Sequence, residues 1–219
     1  MDLLGPILFF VISQFSASVD GNSVTQKHLA TQQISLEKRY NDTFVNGIFK
    51  DNILLNLSYL GGKVTKKEDI NWENINKPYS YNFTLLPGKT FAFHEDVLPQ
   101  YKDTLVKTTN AHFNYDDGFK FSGLLVGDGV CHFASLIYWV AKEAGLEVYA
   151  PSNHNFAVIP EIDKEYGVAI YKMPGQSYTS QMQNLYITNN KENPVAFEFD
   201  YDKDGELKLS ISEVIATNP

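Results

Sequence analysis

The chain has 219 residues, 43% hydrophobic and 20% charged, enough for one well-buried core and too apolar for disorder over most of its length. A formal charge of -8, with Lys and Arg dispersed rather than clustered, argues against nucleic-acid binding. A single cysteine, Cys131, rules out an internal disulfide and leaves that sulfur inert, paired between chains, or a free thiol with a purpose.

Leu3 to Phe15 form an apolar run followed by Ser16-Ala17-Ser18, the pattern of a secretory signal or N-terminal anchor over residues 1–18, and an extracytoplasmic location is the expectation. Asp2 stands where a signal carries Lys or Arg, so a buried apolar strand is the competing reading. The run is short for a bilayer span, and no other segment approaches that length. Residues 19–42 are polar and aperiodic and read as a surface arm or linker, leaving 43–215 as a single domain. Sequons at Asn41, Asn56 and Asn82 matter only in a eukaryotic source.

Phe44, Val45, Ile48, Phe49, Asn52, Ile53, Leu57 and Leu60 recur at helical spacing, and Gly61-Gly62 closes the segment, which predicts a helix over Thr43 to Leu60. Alternation of Ile53, Leu55, Leu57 and Tyr59 keeps a strand open there. Val64 to Pro78 is a charged connection, Tyr81 to Leu85 a strand, Pro87-Gly88 a turn into Thr90 to Phe93, and Leu98 to Lys120 irregular. Phe133, Leu136, Ile137, Val140, Ala141 and Ala144 give the clearest helix, His132 to Ala144, stopped by Gly145. Strands follow at Glu147–Tyr149, Phe156–Ile159, Val168–Tyr171, Leu185–Thr188, Val195–Tyr201 and Glu206–Ser212, the last two a hairpin across Asp202 to Gly205. That hairpin imitates a calcium loop, but Ile211 stands where an EF-hand places its bidentate Glu. The fold expected is α+β, one central Cys-bearing helix packed on a mainly antiparallel sheet with an additional N-terminal helix.

Candidate chemistry centres on Gly127-Asp128-Gly129-Val130-Cys131-His132. Two glycines let the chain turn sharply into the helix, whose N-terminus favours thiolate over thiol at Cys131. The amides of Gly129 and Val130 would then form an oxyanion site, with Asn155 as a positioning group. His154 is the candidate base, opening a strand expected to lie against the Cys131 helix. His132 projects about 100° away from the sulfur on the helix and joins His94 and Asp128 as a further pocket candidate. Asp163 is the nearest acid for a third member, with Asn184 and Asn189 as alternatives, so a Cys131–His154 dyad is the cautious form. The competing reading makes Cys131 a small buried hydrophobe and His154 a hydrogen-bonded strand end. A zinc site of Cys131, His154 and His94 or His132 lacks the usual paired spacing. Neither a metal nor an organic cofactor is expected. Trp72, Trp139, Phe91 and Phe93 would line a groove or, more commonly, fill the core.

Several of these segments, in order from Tyr81 to Ser212, resemble the VanW family, named for an accessory protein of bacterial glycopeptide-resistance clusters. Gly88-Lys89-Thr90-Phe91-Ala92-Phe93 is similar to the family's Gly-x-Thr-Phe-Ser-Phe. Gly127 to Tyr138 is similar to its Gly-Gly-Gly-Val-Cys-Gln-Val-Ser-Ser-Thr-Leu-Tyr, and Ala144-Gly145-Leu146-Glu147-Val148 continues the match. Asn184 to Asn190 is similar to Asp-Leu-x-Phe-x-Asn-Asn. His132 stands in place of the usual Gln, His94 where the family tends to have Asn, and Gly167 where an acidic residue is expected. The resemblance implies a bacterial cell-envelope protein facing peptidoglycan or a peptide-like envelope substrate. A Cys helix followed by a His strand is also similar, more distantly, to the transglutaminase-like and papain-like order, whose members transfer acyl groups between amides. Two functions follow as expectations. One is a thiol-dependent amidase, peptidase or transpeptidase; the other is a non-catalytic envelope module that binds cell-wall material or a protein partner.

Overall fold

A computed structural model describes residues 23–123 and 126–217; the apolar run at the N-terminus and the first residues of the expected arm lie outside them. The chain forms β1 (Ser23–Ser35), α1 (Thr43–Leu60), α2 (Trp72–Ile75), β2 (Tyr79–Leu85), β3 (Thr90–Ala92), β4 (Leu105–Lys107), α3 (Val130–Glu143), β5 (Glu147–Tyr149), α4 (Ser177–Gln181), β6 (Tyr186–Thr188), β7 (Val195–Tyr201) and β8 (Glu206–Thr217). Two four-stranded sheets result, in the orders β1-β8-β7-β2 and β4-β3-β6-β5. Every pairing is antiparallel except β3 with β4. The α+β class therefore holds, with α3 packed against β1, β8 and β5 and α1 packed against α3.

Helix α1 starts where the Asp42 carboxylate accepts the Val45 amide at 3.0 Å and ends where the Gly61 amide donates to Leu57 at 2.9 Å. Its last nine residues, Asn52 to Leu60, are all buried. Burial on every side erases the one-sided stripe that marks a surface helix, which is why a strand pattern was also legible there. Asn56 has no exposed surface, so that sequon is closed to glycosylation, whereas Asn41 and Asn82 are exposed.

The expected arm is corrected over Ser23–Ser35. Those residues are an edge strand paired with β8 along its length, with one irregularity between His28 and Ala30. Within β1, Ala30, Ile34 and Ser35 are buried, so the strand lacks hydrophobic alternation and is held by its ladder to β8. In the connection after α1, Trp72–Ile75 forms one helical turn capped by Asn71.

Two further strands expected from sequence do not form. Phe156 to Ile159 and Val168 to Tyr171 lie outside the sheets, with isolated bridges only at Asn153–Val168 and Ile159–Ile162. The second segment instead spends its amides on α3 and on a neighbouring loop. Val168 donates to Ser135 Oγ at 2.9 Å and Ala169 to Ser152 at 3.0 Å.

The core runs through both sheets. Phe83 stacks on Phe197 with ring centroids 4.7 Å apart, and Phe133 of α3 meets Phe199 at 5.7 Å. Phe91 and Phe93 are fully buried and Trp139 lies over Tyr166, so these aromatics fill or cover the core. In the β7–β8 hairpin the Asp202 carboxylate accepts the amides of Asp204 and Glu206 at 2.8 and 3.0 Å, a turn bond that takes up this would-be calcium ligand.

Candidate functional site

The loop entering α3 is fixed by α1. Asn52 donates to the carbonyls of Lys120 and Asp128 at 3.0 and 2.9 Å and accepts the Lys120 amide at 2.8 Å. Gly129, the residue before the helix, has φ +99°, and a Cβ there would lie 2.6 Å from the Phe49 carbonyl oxygen. Gly127 has φ +86°, and a Cβ there would lie 3.1 Å from the Phe113 carbonyl oxygen. Both glycines thus serve backbone conformation, and Gly129 also the close approach of α1 to α3.

Cys131 follows in the first turn of α3, and its sulfur is held by the backbone of Ile170, accepting that residue's amide at 3.4 Å and donating to its carbonyl at 3.7 Å. The residue is half-buried, while the sulfur itself sits among protein groups, and this burial pushes the thiol up from 9.0 to about 11, with Asp128 adding to the rise and Ile170 opposing it. The expected acidification is therefore reversed. A helix terminus supplies roughly 0.3–1 kcal/mol, whereas a rise of this size corresponds to roughly 3 kcal/mol, so desolvation outweighs the dipole.

His132, His154 and Cys131 line one cavity of about 440 Å³, together with Asp128, Gly129 and the buried Arg39. The His132 and His154 rings meet edge to face at 6.2 Å. Burial pushes His132 down to about 3, assisted by the positive charge of Arg39 and by His154. Burial lowers His154 as well, so both imidazoles are neutral near pH 7. Neither His132 Nδ1 nor His154 Nδ1 has a hydrogen-bond partner, and the same is true of Arg39 Nε. The rest of the guanidinium is engaged, Nη2 with Glu161 at 2.7 Å and Nη1 with the Pro160 carbonyl at 3.2 Å. Arg39 was absent from the sequence reading, because an arginine in a polar stretch carries no sign that it will be buried.

The remaining candidates fall elsewhere. Asn155 and Asp163 are exposed and outside the cavity wall, because Asp163 opens a short helical turn whose Tyr166 amide its carbonyl accepts. Val130 is buried and its amide already donates to Gly127 at 3.0 Å, which removes it as an oxyanion donor. Gly167, where an acid was expected, has no room for a side chain, since a Cβ would lie 2.7 Å from the His154 carbonyl oxygen. His94 is fully buried beside β6, with Nε2 bonded to the Gln183 carbonyl at 3.1 Å. Asn184 donates to the carbonyls of His94 and Asp96, and Asn189 to those of Leu85 and Asn193, so both amides tie loops to sheet. Among the described residues, no group of three or more His, Cys, Asp or Glu side chains is placed to hold a metal ion. A wider groove of about 730 Å³ runs past Phe44, Asp51, Tyr115 and Phe121, and none of the residues lining it is a cysteine or histidine.

A family model described as "VanW like protein" matches residues 74–212, well over half of the chain and inclusive of α3 and both histidines of the cavity. No curated protein and no solved structure matches the chain. Among the described residues no helix is long and apolar enough to cross a membrane.

Proposed function

This chain belongs to the VanW family, and from that premise we propose that it is an extracytoplasmic, cell-envelope binding module that takes a wall-derived or peptide-like ligand into the cavity between α1 and α3. The observation that carries this reading is the state of Cys131. Its sulfur is occupied by the Ile170 amide and carbonyl and remains protonated near neutral pH. A thiol so placed braces the Ile170 segment against α3, and the cavity beside it, lined by His132, His154, Phe156 and Val158, is left for a ligand.

The test is co-sedimentation of the full chain with purified peptidoglycan sacculi, combined with iodoacetamide labelling. Binding that survives Cys131→Ala, together with labelling at least tenfold slower than a free thiol near pH 8, supports a binding module. Failure to sediment with sacculi under any salt condition overturns it.

A second reading, thiol-dependent acyl transfer on peptidoglycan amides with Cys131 as nucleophile and His154 as base, is favoured by one observation: both side chains line the same cavity and His154 Nδ1 is without a partner. It requires the sulfur to give up its bond to the Ile170 carbonyl and to overcome its desolvation as it ionises, while the Ile170 amide can go on donating to it. Turnover of muropeptides that vanishes in Cys131→Ala, with the fold intact by circular dichroism, would establish it over the first.

A further inference from the structure

The wall of the cavity beside Cys131 carries one charge that the fold does not offset. Asp128 lines that wall, set by the turn through Gly127 and Gly129 and by the Asn52 amide on its backbone carbonyl. Oδ2 of its carboxylate accepts the Ser122 hydroxyl. Oδ1 has no partner among the described residues, yet it is not one of their buried unpartnered atoms, so this oxygen keeps accessible surface. No lysine or arginine among the described residues pairs with Asp128. The cation on the same wall, Arg39, is buried and directs its charge at Glu161, 2.7 Å away. Burial is the first cause of the raised Cys131 thiol and Asp128 the charge that adds to it, so the field of this carboxylate reaches across the wall. The thiol and both imidazoles are neutral near pH 7, which leaves Asp128 to set the sign.

Aromatic rings surround it. Tyr40, Phe49, Phe156 and Tyr171 all line the cavity, and Tyr40, Phe156 and Tyr171 are 44, 73 and 42% exposed. Tyr40 stacks on Phe49 with centroids 5.7 Å apart, and Phe156 lies over the His154 ring at 4.0 Å. Ring faces carry the negative part of the aromatic quadrupole and attract cations. A carboxylate oxygen among such rings therefore selects by charge. An anion meets repulsion from Asp128 and from a chain of formal charge -8, whose field draws cations in. A wholly apolar guest would cover Oδ1 without giving it a donor, a loss that burial penalises. A metal ion lacks the ligand set among the described residues. An ammonium offers three donors and a charge, and an apolar chain attached to it meets Val126, Val158 and Ile170 on the same wall.

We infer that the cavity binds an organic ammonium carrying an apolar chain, its N–H donating to Asp128 Oδ1 and its chain lying among Tyr40, Phe49, Phe156 and Tyr171. This deepens the binding-module reading and rests on it, the amine being the end of a peptide-like ligand that enters first. A cavity of about 440 Å³ is of the size that takes small molecules.

The experiment is calorimetric titration of the full chain with n-hexylamine, protonated at pH 7, and with 1-hexanol, its uncharged counterpart of equal length. The amine should bind about tenfold more tightly than the alcohol, and added salt should narrow the gap. Asp128→Asn keeps the acceptor for Ser122 and removes the charge, and it should abolish the preference. Phe156→Ala, at an exposed rim position, should weaken amine and alcohol alike by about fivefold. Nα-acetyl-lysinamide and phenylalaninamide then present the ammonium on a side chain and at a peptide N-terminus; the tighter of the two identifies the source, and either order supports the site. Equal affinity for amine and alcohol in the unaltered chain, binding of neither, or a preference that survives Asp128→Asn overturns the assignment. Sacculus binding that persists through such a failure overturns the ammonium alone; loss of sacculus binding as well overturns the binding module with it.

Discussion

Ile170 grips the Cys131 sulfur from both sides, its amide at 3.4 Å and its carbonyl at 3.7 Å. Four residues along α3, Ser135 accepts the Val168 amide and donates to the Cys131 carbonyl. The segment that failed to become a strand is thus bonded to a helix through two side chains. Replacing Cys131 with Ala removes one of those attachments and should lower stability by about 1–2 kcal/mol, read as a lower urea midpoint. Cys131→Ser keeps a donor and acceptor and should cost less. If Ala and Ser are equally harmless, the sulfur does not brace the segment.

Asn52 bridges the carbonyls of Lys120 and Asp128 and carries the Lys120 amide. Asn52→Leu takes away the side-chain partner of the Lys120 amide and of the Asp128 carbonyl, while the Lys120 carbonyl keeps the Gly127 amide, and should cost about 1–3 kcal/mol. Amide exchange at residues 120–129 should quicken more than in β7, which separates loss of this clamp from a uniform loss of stability.

Gly129→Ala combines two penalties, a positive φ and a Cβ placed 2.6 Å from the Phe49 carbonyl. The expected loss is about 2–4 kcal/mol, larger than for Gly175→Ala, where φ is also positive but nothing lies within 4 Å. The difference between the two variants measures the closeness of α1 to α3.

His132 is pushed down to about 3 and His94 to about 4, from an ordinary 6.5, burial being the first cause for each. Above pH 6.5 both rings are neutral whether the chain is folded or not, and their stability contribution is complete. As the pH falls, the unfolded chain takes up protons that the folded chain refuses, so stability drops by about 1.4 kcal/mol per pH unit for each ring and is lost as the folded values are passed. Cys131, raised from 9.0 to about 11, acts at the other end: stability is complete below 9.0 and declines as the pH rises toward 11. Urea midpoints should form a plateau between pH 6.5 and 9 with falling shoulders; a flat acid shoulder would place these rings in contact with water.

Local patterns carried the two long helices. Spacing and a following glycine placed α1 at its observed bounds and α3 within two residues, and the β7–β8 hairpin was legible from alternation around Asp202 to Gly205. The VanW motifs were legible as well, yet much of what they encode is architecture. Thr90 Oγ1 bonds Thr104 and Thr188 at 2.8 and 2.9 Å, Phe91 and Phe93 fill the core, and Asn184 and Asn189 fasten loops.

Strand β1 and the cavity were beyond a single-sequence reading for one physical reason. Hydrophobic periodicity reports which face of a segment is buried, and β1 is held by backbone bonds to β8 that leave most of its side chains in water. The ionisation of Cys131 likewise depends on what surrounds the sulfur. The sequence supplied a helix start, which favours thiolate weakly; only the approach of Ile170 and of the cavity walls, from 39 residues along the chain, brought the larger desolvation that keeps it a thiol.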